Sequence, residues 1–384
     1  MTRPYRLFFH VQHLLGIGHQ MRAAAIARAC AAAGIEVHYA TGGFEDRDWD
    51  LGSAEVHQLP PVRVRNRDFS QLEDDTGQLV DDQWWDRRGA FTLDLFKRLK
   101  PDFLLLEGYP FARRKFGREL LPVMALARSV GIPVASSIRD ILVPPSKDQK
   151  RLKALEIADS MLDLMLVHGD PAFTPLEASL PGVEALSQKI RYTGYVDGGD
   201  GSVQASDHRQ GIVVSVGGGA VGEHLLRQTV QAARQINDPD LHWRFLAGPN
   251  LPLAVQQALQ EEISGLNATL EPARPDFRAL LAKARLSISQ AGYNTVMDIL
   301  AAGCPALLVP FSTDGESEQP MRANLLAKSG YARVVDEETA DTGQMTSTIK
   351  AMLASREKTP PPPFSLDGAE KTADILLAVM RRKG

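Results

Sequence analysis

Along the chain, short apolar runs alternate with longer segments whose apolar positions recur at helical spacing, and this alternation predicts parallel α/β units. In the first half the strand-like runs are residues 5–12, 36–41, 102–107, 133–138 and 163–168. Segments 20–33 and 119–130 carry Ala, Leu and Arg with helical period, whereas 66–88 is polar, rich in Asp and Arg, and reads as a loop on the acceptor side. The stretch Tyr195-Val196-Asp197-Gly198-Gly199-Asp200-Gly201-Ser202 interrupts the pattern and predicts a linker. The alternation then restarts, with strands at 211–216, 243–247, 286–289 and 306–310 and helices at 223–235, 252–264, 276–284, 293–302 and 319–329. Pro360-Pro361-Pro362-Pro363 stops any helix and precedes an amphipathic tail, 367–382. The expected organisation is a Rossmann-like domain over 1–200, a second over 201–359, and a Pro-rich spacer with a helix over 360–384 that packs back on the domains.

A length of 384 residues suits two such domains. The net charge of -4 gives no support to a nucleic-acid partner, which calls for a basic domain or stripe. Cys30 and Cys304 are too few and too far apart for a zinc site or a disulfide framework, so a reducing cytoplasm is the expected setting. The N-terminus runs straight into a strand, and no apolar run reaches the roughly 18 residues of a membrane span. Neither secretion nor a transmembrane anchor is expected.

Both halves place a glycine-rich turn between their first strand and a helix: Leu15-Gly16-Ile17-Gly18-His19, and Val216-Gly217-Gly218-Gly219. Such a turn lets backbone approach an anion at a helix N-terminus, or it simply closes strand onto helix. Gly217, Gly219 and Gly222 formally satisfy the dinucleotide fingerprint, but the following strand ends Leu246-Ala247-Gly248, without the acid that would hold a ribose. A nicotinamide or flavin cofactor is therefore not expected.

The most informative stretch is Ser289-Gln290-Ala291-Gly292-Tyr293-Asn294-Thr295-Val296-Met297-Asp298, continuing to Gly303-Cys304-Pro305. A strand ends at a glycine, amide and hydroxyl side chains open the helix, and Asp298 stands at i+4 from Asn294 on the same face. This suits diphosphate at the helix start with ribose against the acid; an N-cap followed by a first-turn acid gives the same pattern.

This stretch resembles the donor-binding signature of glycosyltransferases with the GT-B fold. The similarity is closest to glycosyltransferase family 28, the group of the lipid II-forming N-acetylglucosaminyltransferase and the monogalactosyldiacylglycerol synthases. It extends to Gly16-Ile17-Gly18-His19, Gly217-Gly218-Gly219 and Glu318-Gln319-Pro320-Met321-Arg322-Ala323. The N-terminal loop also resembles that of predicted bacterial glycosyltransferases with a Gly-x-Gly-His-x-x-Arg-like start. The resemblance implies two Rossmann-like domains facing across a cleft, with the nucleotide sugar on the C-terminal one. Gly18, Gly217, Gly218 and Gly219 would line the donor's diphosphate, with Gln290, Gly292, Asn294 and Thr295 completing the cradle. Asp298 stands where the family usually has a ribose-binding Glu, a shorter acid and a departure from the pattern. Arg274 matches the position whose backbone reads the base, usually uracil, while Glu318 and Gln319 would hydrogen-bond the sugar.

The acceptor, a lipid or a small metabolite, is then expected on the N-terminal domain. His19 is the candidate general base, because an imidazole near its reference pKa can take a hydroxyl proton at neutral pH. Glu107 and His168, each ending a predicted strand, are further catalytic candidates. The family needs no metal, and Asp46-Arg47-Asp48-Trp49-Asp50 reads as an acidic loop. Arg63, Arg65 and Arg67, Arg87-Arg88 and Phe111-Ala112-Arg113-Arg114-Lys115-Phe116, with Trp84-Trp85, interleave basic and aromatic residues. They suit an anionic acceptor or peripheral contact with the inner face of a membrane, and equally a solvated charged surface. The function implied is an inverting transfer from a UDP-sugar to an acceptor hydroxyl. A nucleotide-sugar hydrolase with the same loops, or a non-catalytic nucleotide-sugar-binding protein, are the alternatives.

Overall fold

The computed structural model describes residues 3–14, 18–44, 49–65, 71–143, 148–198, 206, 208–217, 222–312, 317–337, 341–355 and 364–383. The chain divides into two units, one of residues 1–198 and 364–384, the other of residues 199–363.

The first unit runs β1 (Arg6–Val11), α1 (Gly18–Ala32), β2 (Glu36–Thr41), β3 (Glu55–Gln58), β4 (Val62–Val64), β5 (Leu72–Asp74), α2 (Asp82–Leu99), β6 (Phe103–Glu107), α3 (Gly117–Ser129), β7 (Val134–Arg139), α4 (Asp148–Met161), β8 (Leu164–His168) and β9 (Ile190–Tyr192). Seven strands form a parallel sheet in the order β3-β2-β1-β6-β7-β8-β9, and β4 and β5 make a separate antiparallel pair. The inner strands are buried along nearly their whole length because helices cover both faces. Phe8, Leu104 and Leu106 pack against α2 and α3 on one face, and Phe9, Val11 and Leu105 pack with α1 on the other.

The second unit runs β10 (Ile212–Ser215), α5 (Glu223–Ile236), β11 (Trp243–Ala247), α6 (Leu253–Glu262), β12 (Ala268–Pro272), α7 (Phe277–Lys283), β13 (Leu286–Ser289), α8 (Tyr293–Ala302), β14 (Ala306–Leu308), α9 (Glu318–Lys328), β15 (Arg333–Val334) and α10 (Thr342–Ala354). Its six strands are parallel in the order β12-β11-β10-β13-β14-β15. In each sheet the chain order reverses once, between β1 and β6 in the first unit and between β10 and β13 in the second. Loops leaving the carboxyl ends of such strand pairs border the crevice where α/β sheets bind ligands.

The tail helix α11 (Gly368–Lys383) returns to the first unit, where Ala369, Ala373, Leu376 and Met380 join the core that holds Ala23, Ile26 and Ala27 of α1. The return is stitched by Tyr195 N–H to Ser365 O (2.9 Å) and Gly368 N–H to Tyr195 O (3.0 Å). A Cβ on Gly368 would lie 2.6 Å from the carbonyl oxygen of Gly194, so only glycine permits this approach.

Residues 66–88, expected to be loop, are not loop throughout: β5 and the first turns of α2 fall inside them. Asp81 caps α2 by accepting from the Trp84 N–H at 2.7 Å, and Trp84 and Trp85 are buried, the latter edge-on to Phe116. Fixed on the polar residues, the sequence reading passed over an N-cap acid followed by two core tryptophans at the start of a helix. Residues 360–363 and 46–48 lie outside the described residues.

Candidate active site

At the reversal point of the first sheet, the helix that follows β1 opens with Gly18 and His19, and β6 ends at Glu107. The two candidate catalytic side chains meet there. His19 Nδ1 lies 3.0 Å from Glu107 Oε1, the same oxygen accepts from Arg22, and Ser137 Oγ donates to Oε2 at 2.7 Å. Ser137 stands opposite Glu107 in the β6–β7 register and also contacts His168 Nε2 at 2.9 Å; His168 Nδ1 reaches Thr193 Oγ1 at 2.8 Å. A polar chain from His19 to Thr193 thus crosses the sheet interior beneath an edge of His19 that is 17% exposed.

Burial alone would raise Glu107, but Arg22 and the bonds from His19 and Ser137 outweigh it and hold its carboxyl at about 2. An ionised carboxylate can only accept, and Arg22 Nη2, though 3.2 Å from Nδ1, already donates to Glu107; the shorter 3.0 Å carboxylate contact thus favours the proton of neutral His19 on Nδ1 and the lone pair on Nε2. Among the described residues Nε2 makes no hydrogen bond. Burial first, then the neighbouring Arg113, push His19 down to about 3, and burial does the same to His168. His19 is therefore not near its reference value, as the sequence suggested. It is a neutral acceptor throughout the physiological range, with the Glu107 carboxylate against its Nδ1 side.

A second buried cluster lies beside it. Arg88, fully buried, donates to Glu119 Oε2 at 2.7 Å and to the Pro60 carbonyl at 2.8 Å, while His10 Nε2 and Thr92 Oγ1 reach Glu119 Oε1 at 3.0 and 2.7 Å. Arg88 is thus no part of a basic surface. Arg113 is also enclosed, donating to the Gln12 carbonyl at 2.8 Å and pushed by burial down to about 10, and Phe111 and Phe116 are core residues. The aromatic part of the basic and aromatic cluster is interior; Arg63 and Arg65 stay half exposed but pair with Glu73. Sequence reading missed Ser137 and Thr193, gave no separate role to Arg22 at the end of the Gly-x-Gly-His-x-x-Arg-like start, and placed Arg113 in a basic and aromatic run without its link to His19. The signal for Ser137 was a polar residue within a strand that reads as buried.

In the second unit, α5 and α8 begin beyond the carboxyl ends of β10 and β13, the strands at the reversal point. Their N-caps are Gly222 and Gly292, and neither helix has a side-chain cap, which suits an anion. Among the described residues a Cβ on Gly292 would meet nothing within 4 Å, which leaves space against the first turn of α8. Gly217 has φ +61, a left-handed conformation that favours glycine, and a Cβ there would lie 3.6 Å from Thr295 Oγ1, so the two loops adjoin. Gly218 and Gly219 fall outside the described residues, as do Gly16 and Ile17.

The remaining candidates are held by the protein itself. Arg278 donates to Asp298 Oδ1 from Nη2 at 2.8 Å and from Nε at 3.1 Å. Gln319 Oε1 accepts the N–H groups of Ala291 (3.1 Å) and Phe311 (3.2 Å), tying α9 to the strand ends beside Gln290, itself buried. Glu318 is buried against Arg322 at 2.8 Å, and Arg322 also donates to the Ala291 carbonyl at 3.1 Å. Arg274 is paired with Glu271 (3.0 Å) and with both oxygens of Asp276 (2.8 Å each). Its side chain serves the turn that carries its backbone.

Residues 213–374 match the glycosyltransferase family 28 C-terminal domain. The chain is 26% identical over 392 aligned residues to the UDP-N-acetylglucosamine--N-acetylmuramyl-(pentapeptide) pyrophosphoryl-undecaprenol N-acetylglucosamine transferase of Rhodopseudomonas palustris, covering 94% of this chain and 93% of that one. Among solved structures it resembles Acinetobacter baumannii MurG, with a TM-score of 0.63 and 17% identity over 99% of this chain and 100% of the other. A UDP-glucosyltransferase from Polygonum tinctorium gives a TM-score of 0.64 at 11% identity, covering 99% and 100%.

Proposed function

We propose that this chain, a UDP-sugar-dependent glycosyltransferase of the GT-B fold with a C-terminal domain of family 28, transfers its sugar with inversion to a hydroxyl of a lipid-linked acceptor. The observation that carries this reading is the family 28 match, which spans the crevice between the β10 and β13 loops, with its two uncapped helix starts and the open space at Gly292. The relative that aligns over nearly the whole chain takes UDP-N-acetylglucosamine and a pyrophosphoryl-undecaprenol acceptor by its name, which supports that donor and acceptor class here.

In this reading the donor's diphosphate lies at the N-terminus of α8, against Gly217, Gly292, Asn294 and Thr295, where backbone N–H groups and the helix dipole receive the charge that builds as UDP leaves. Asp298, steadied by Arg278, takes the ribose hydroxyls, and the backbone at Arg274 reads the base. Gln319 has its amide oxygen committed to two backbone N–H groups, which turns its amide donor to the sugar. The acceptor hydroxyl attacks the anomeric carbon as the bond to the diphosphate oxygen breaks, and its proton passes to His19 Nε2. Glu107 orients the ring through Nδ1 and offsets the imidazolium charge. An anionic acceptor near Arg113 would counter the charge that depresses His19, making the base stronger when substrate is bound.

The test supplies labelled UDP-N-acetylglucosamine with a pyrophosphoryl-undecaprenol-linked saccharide and follows label into the lipid phase. Acceptor-dependent transfer supports the reading. Label that stays in the aqueous phase as free sugar, with or without acceptor, contradicts it in favour of a hydrolase.

A further inference from the structure

The edge of the first sheet carries a cluster that the transfer chemistry does not use. His38 of β2 stands opposite Glu55 of β3 in the parallel register, and His57 lies two residues further along the edge strand. Their donor atoms converge: His38 Nδ1 is 3.1 Å from His57 Nε2 and 3.3 Å from Glu55 Oε2, and His57 Nε2 is 3.6 Å from Glu55 Oε1. Each of the three residues offers one ligand atom, and all these atoms lie within 4.8 Å of one another.

We propose that His38, His57 and Glu55 form a zinc-binding clip that fastens the edge strand β3 to β2. Ligands about 2.0–2.1 Å from a tetrahedral ion stand roughly 3.3–3.4 Å apart; the two imidazole nitrogens are 3.1 Å apart, and the Glu55 carboxylate, with Oε2 at 3.3 Å from His38 and Oε1 at 3.6 Å from His57, lies within reach of both to supply a single oxygen. Two imidazole nitrogens with one carboxylate suit a borderline-soft divalent ion, not magnesium or calcium, which take oxygen ligands. The protonation pattern also suits a metal. His38 Nε2 lies 3.1 Å from Glu36 Oε1, and Glu36 is held in turn by Arg6 Nε at 3.1 Å. A carboxylate accepting from Nε2–H leaves the Nδ1 lone pair facing the cluster, the outer support that ligating histidines commonly have.

Access fits as well. His38 is 3% exposed, His57 13% and Glu55 65%, so the cluster is walled by protein on one side and open to solvent on the other, where water supplies the fourth ligand. His38 comes from β2 and the other two ligands from β3, the last strand of the sheet, whose outer edge pairs with no further strand among the described residues. An ion bound there ties down the edge most prone to open.

The test uses the full-length chain without an affinity tag, stripped with a chelator. Zn²⁺ is titrated in competition with a chromophoric chelator, and Co²⁺ is titrated in parallel by visible absorption. The expected result is one tight ion per chain, with the intense bands of four-coordinate cobalt. His57→Ala should remove this site and Glu36→Gln should weaken it by about 10–100-fold. Melting without metal and UDP affinity report whether each variant is folded. The proposal is overturned if no stoichiometric Zn²⁺ binds, if Mg²⁺ competes equally, if the cobalt spectrum is six-coordinate, or if folded His57→Ala and Glu55→Gln bind as the parent does.

Discussion

Replacing Glu107 with Gln removes one charge from the buried group it forms with Arg22, His19 and Ser137 and leaves its volume almost unchanged. Arg22 is 3% exposed, and breaking a buried ion pair costs about 3–5 kcal/mol. The amide oxygen still accepts from Arg22, so the lower end of that range applies and the chain stays folded. The larger effect is on charge. The amide oxygen that stays on Arg22 also stays on His19 Nδ1, so the tautomer is kept, but a neutral amide no longer offsets the positive charge of a ring that has taken the acceptor's proton. Turnover should fall by about 10²–10⁴-fold, with UDP affinity unchanged because the proposed nucleotide site lies in the other unit. The assay is UDP release at saturating donor and acceptor, paired with UDP calorimetry. In a His19→Ala background, Glu107→Gln should add little further loss, since groups that act as a unit are not additive. Full turnover in Glu107→Gln, or losses that multiply in the double variant, would refute the pairing as the catalytic unit.

Three further outcomes are expected. Arg113 lowers His19, so Arg113→Gln should move the acidic limb of the kcat/KM profile to higher pH; an unmoved or lower limb excludes this coupling. Gly292→Val should leave the melting temperature nearly unchanged, because φ is -63 and the position is open, yet weaken UDP at least about 10-fold by filling the site of the phosphates; unchanged UDP affinity removes the diphosphate from this helix start. Stability should decline in acid in two overlapping windows. His19 and His168, depressed to about 3 from 6.5, contribute stability that is present above about pH 6.5 and lost as pH falls towards 3, and Glu107 and Glu119, at about 2 from 4.5, lose theirs from about pH 4.5 downward. Urea midpoints measured from pH 8 to 4 check the first window, and a flat profile contradicts it.

Most of the fold could be read from periodicity because buried parallel strands are continuous apolar runs between helices with strong punctuation. β2, β11, β13 and α8 have the bounds that the pattern predicts. The edge strands β3, β9, β12 and β15 and the separate pair β4–β5 were not read, since strands of two to five residues outside the sheet centres carry too few apolar positions. In the site, His19 and Glu107 were visible one at a time, as a helix-start histidine and a strand-end acid. Their contact is a property of strand order, which puts β1 beside β6 across 88 residues of separation. The same holds for Arg88 and Glu119. A run of two arginines reads as surface until the partner acid arrives from another helix. Arg278 escaped notice for a related reason, since nothing in its own segment signals the pairing with Asp298.

The central claim is that an acceptor hydroxyl, activated by His19, displaces UDP. Its most direct test is the rate of UDP release with and without the lipid-linked acceptor, measured side by side for the parent chain and His19→Ala. The account predicts slow release by the parent until acceptor is added and fast release afterwards, with His19→Ala losing about 10²–10⁴-fold of the acceptor-dependent rate at unchanged UDP affinity. Fast release by the parent without acceptor, or full acceptor-dependent turnover in His19→Ala, would contradict it.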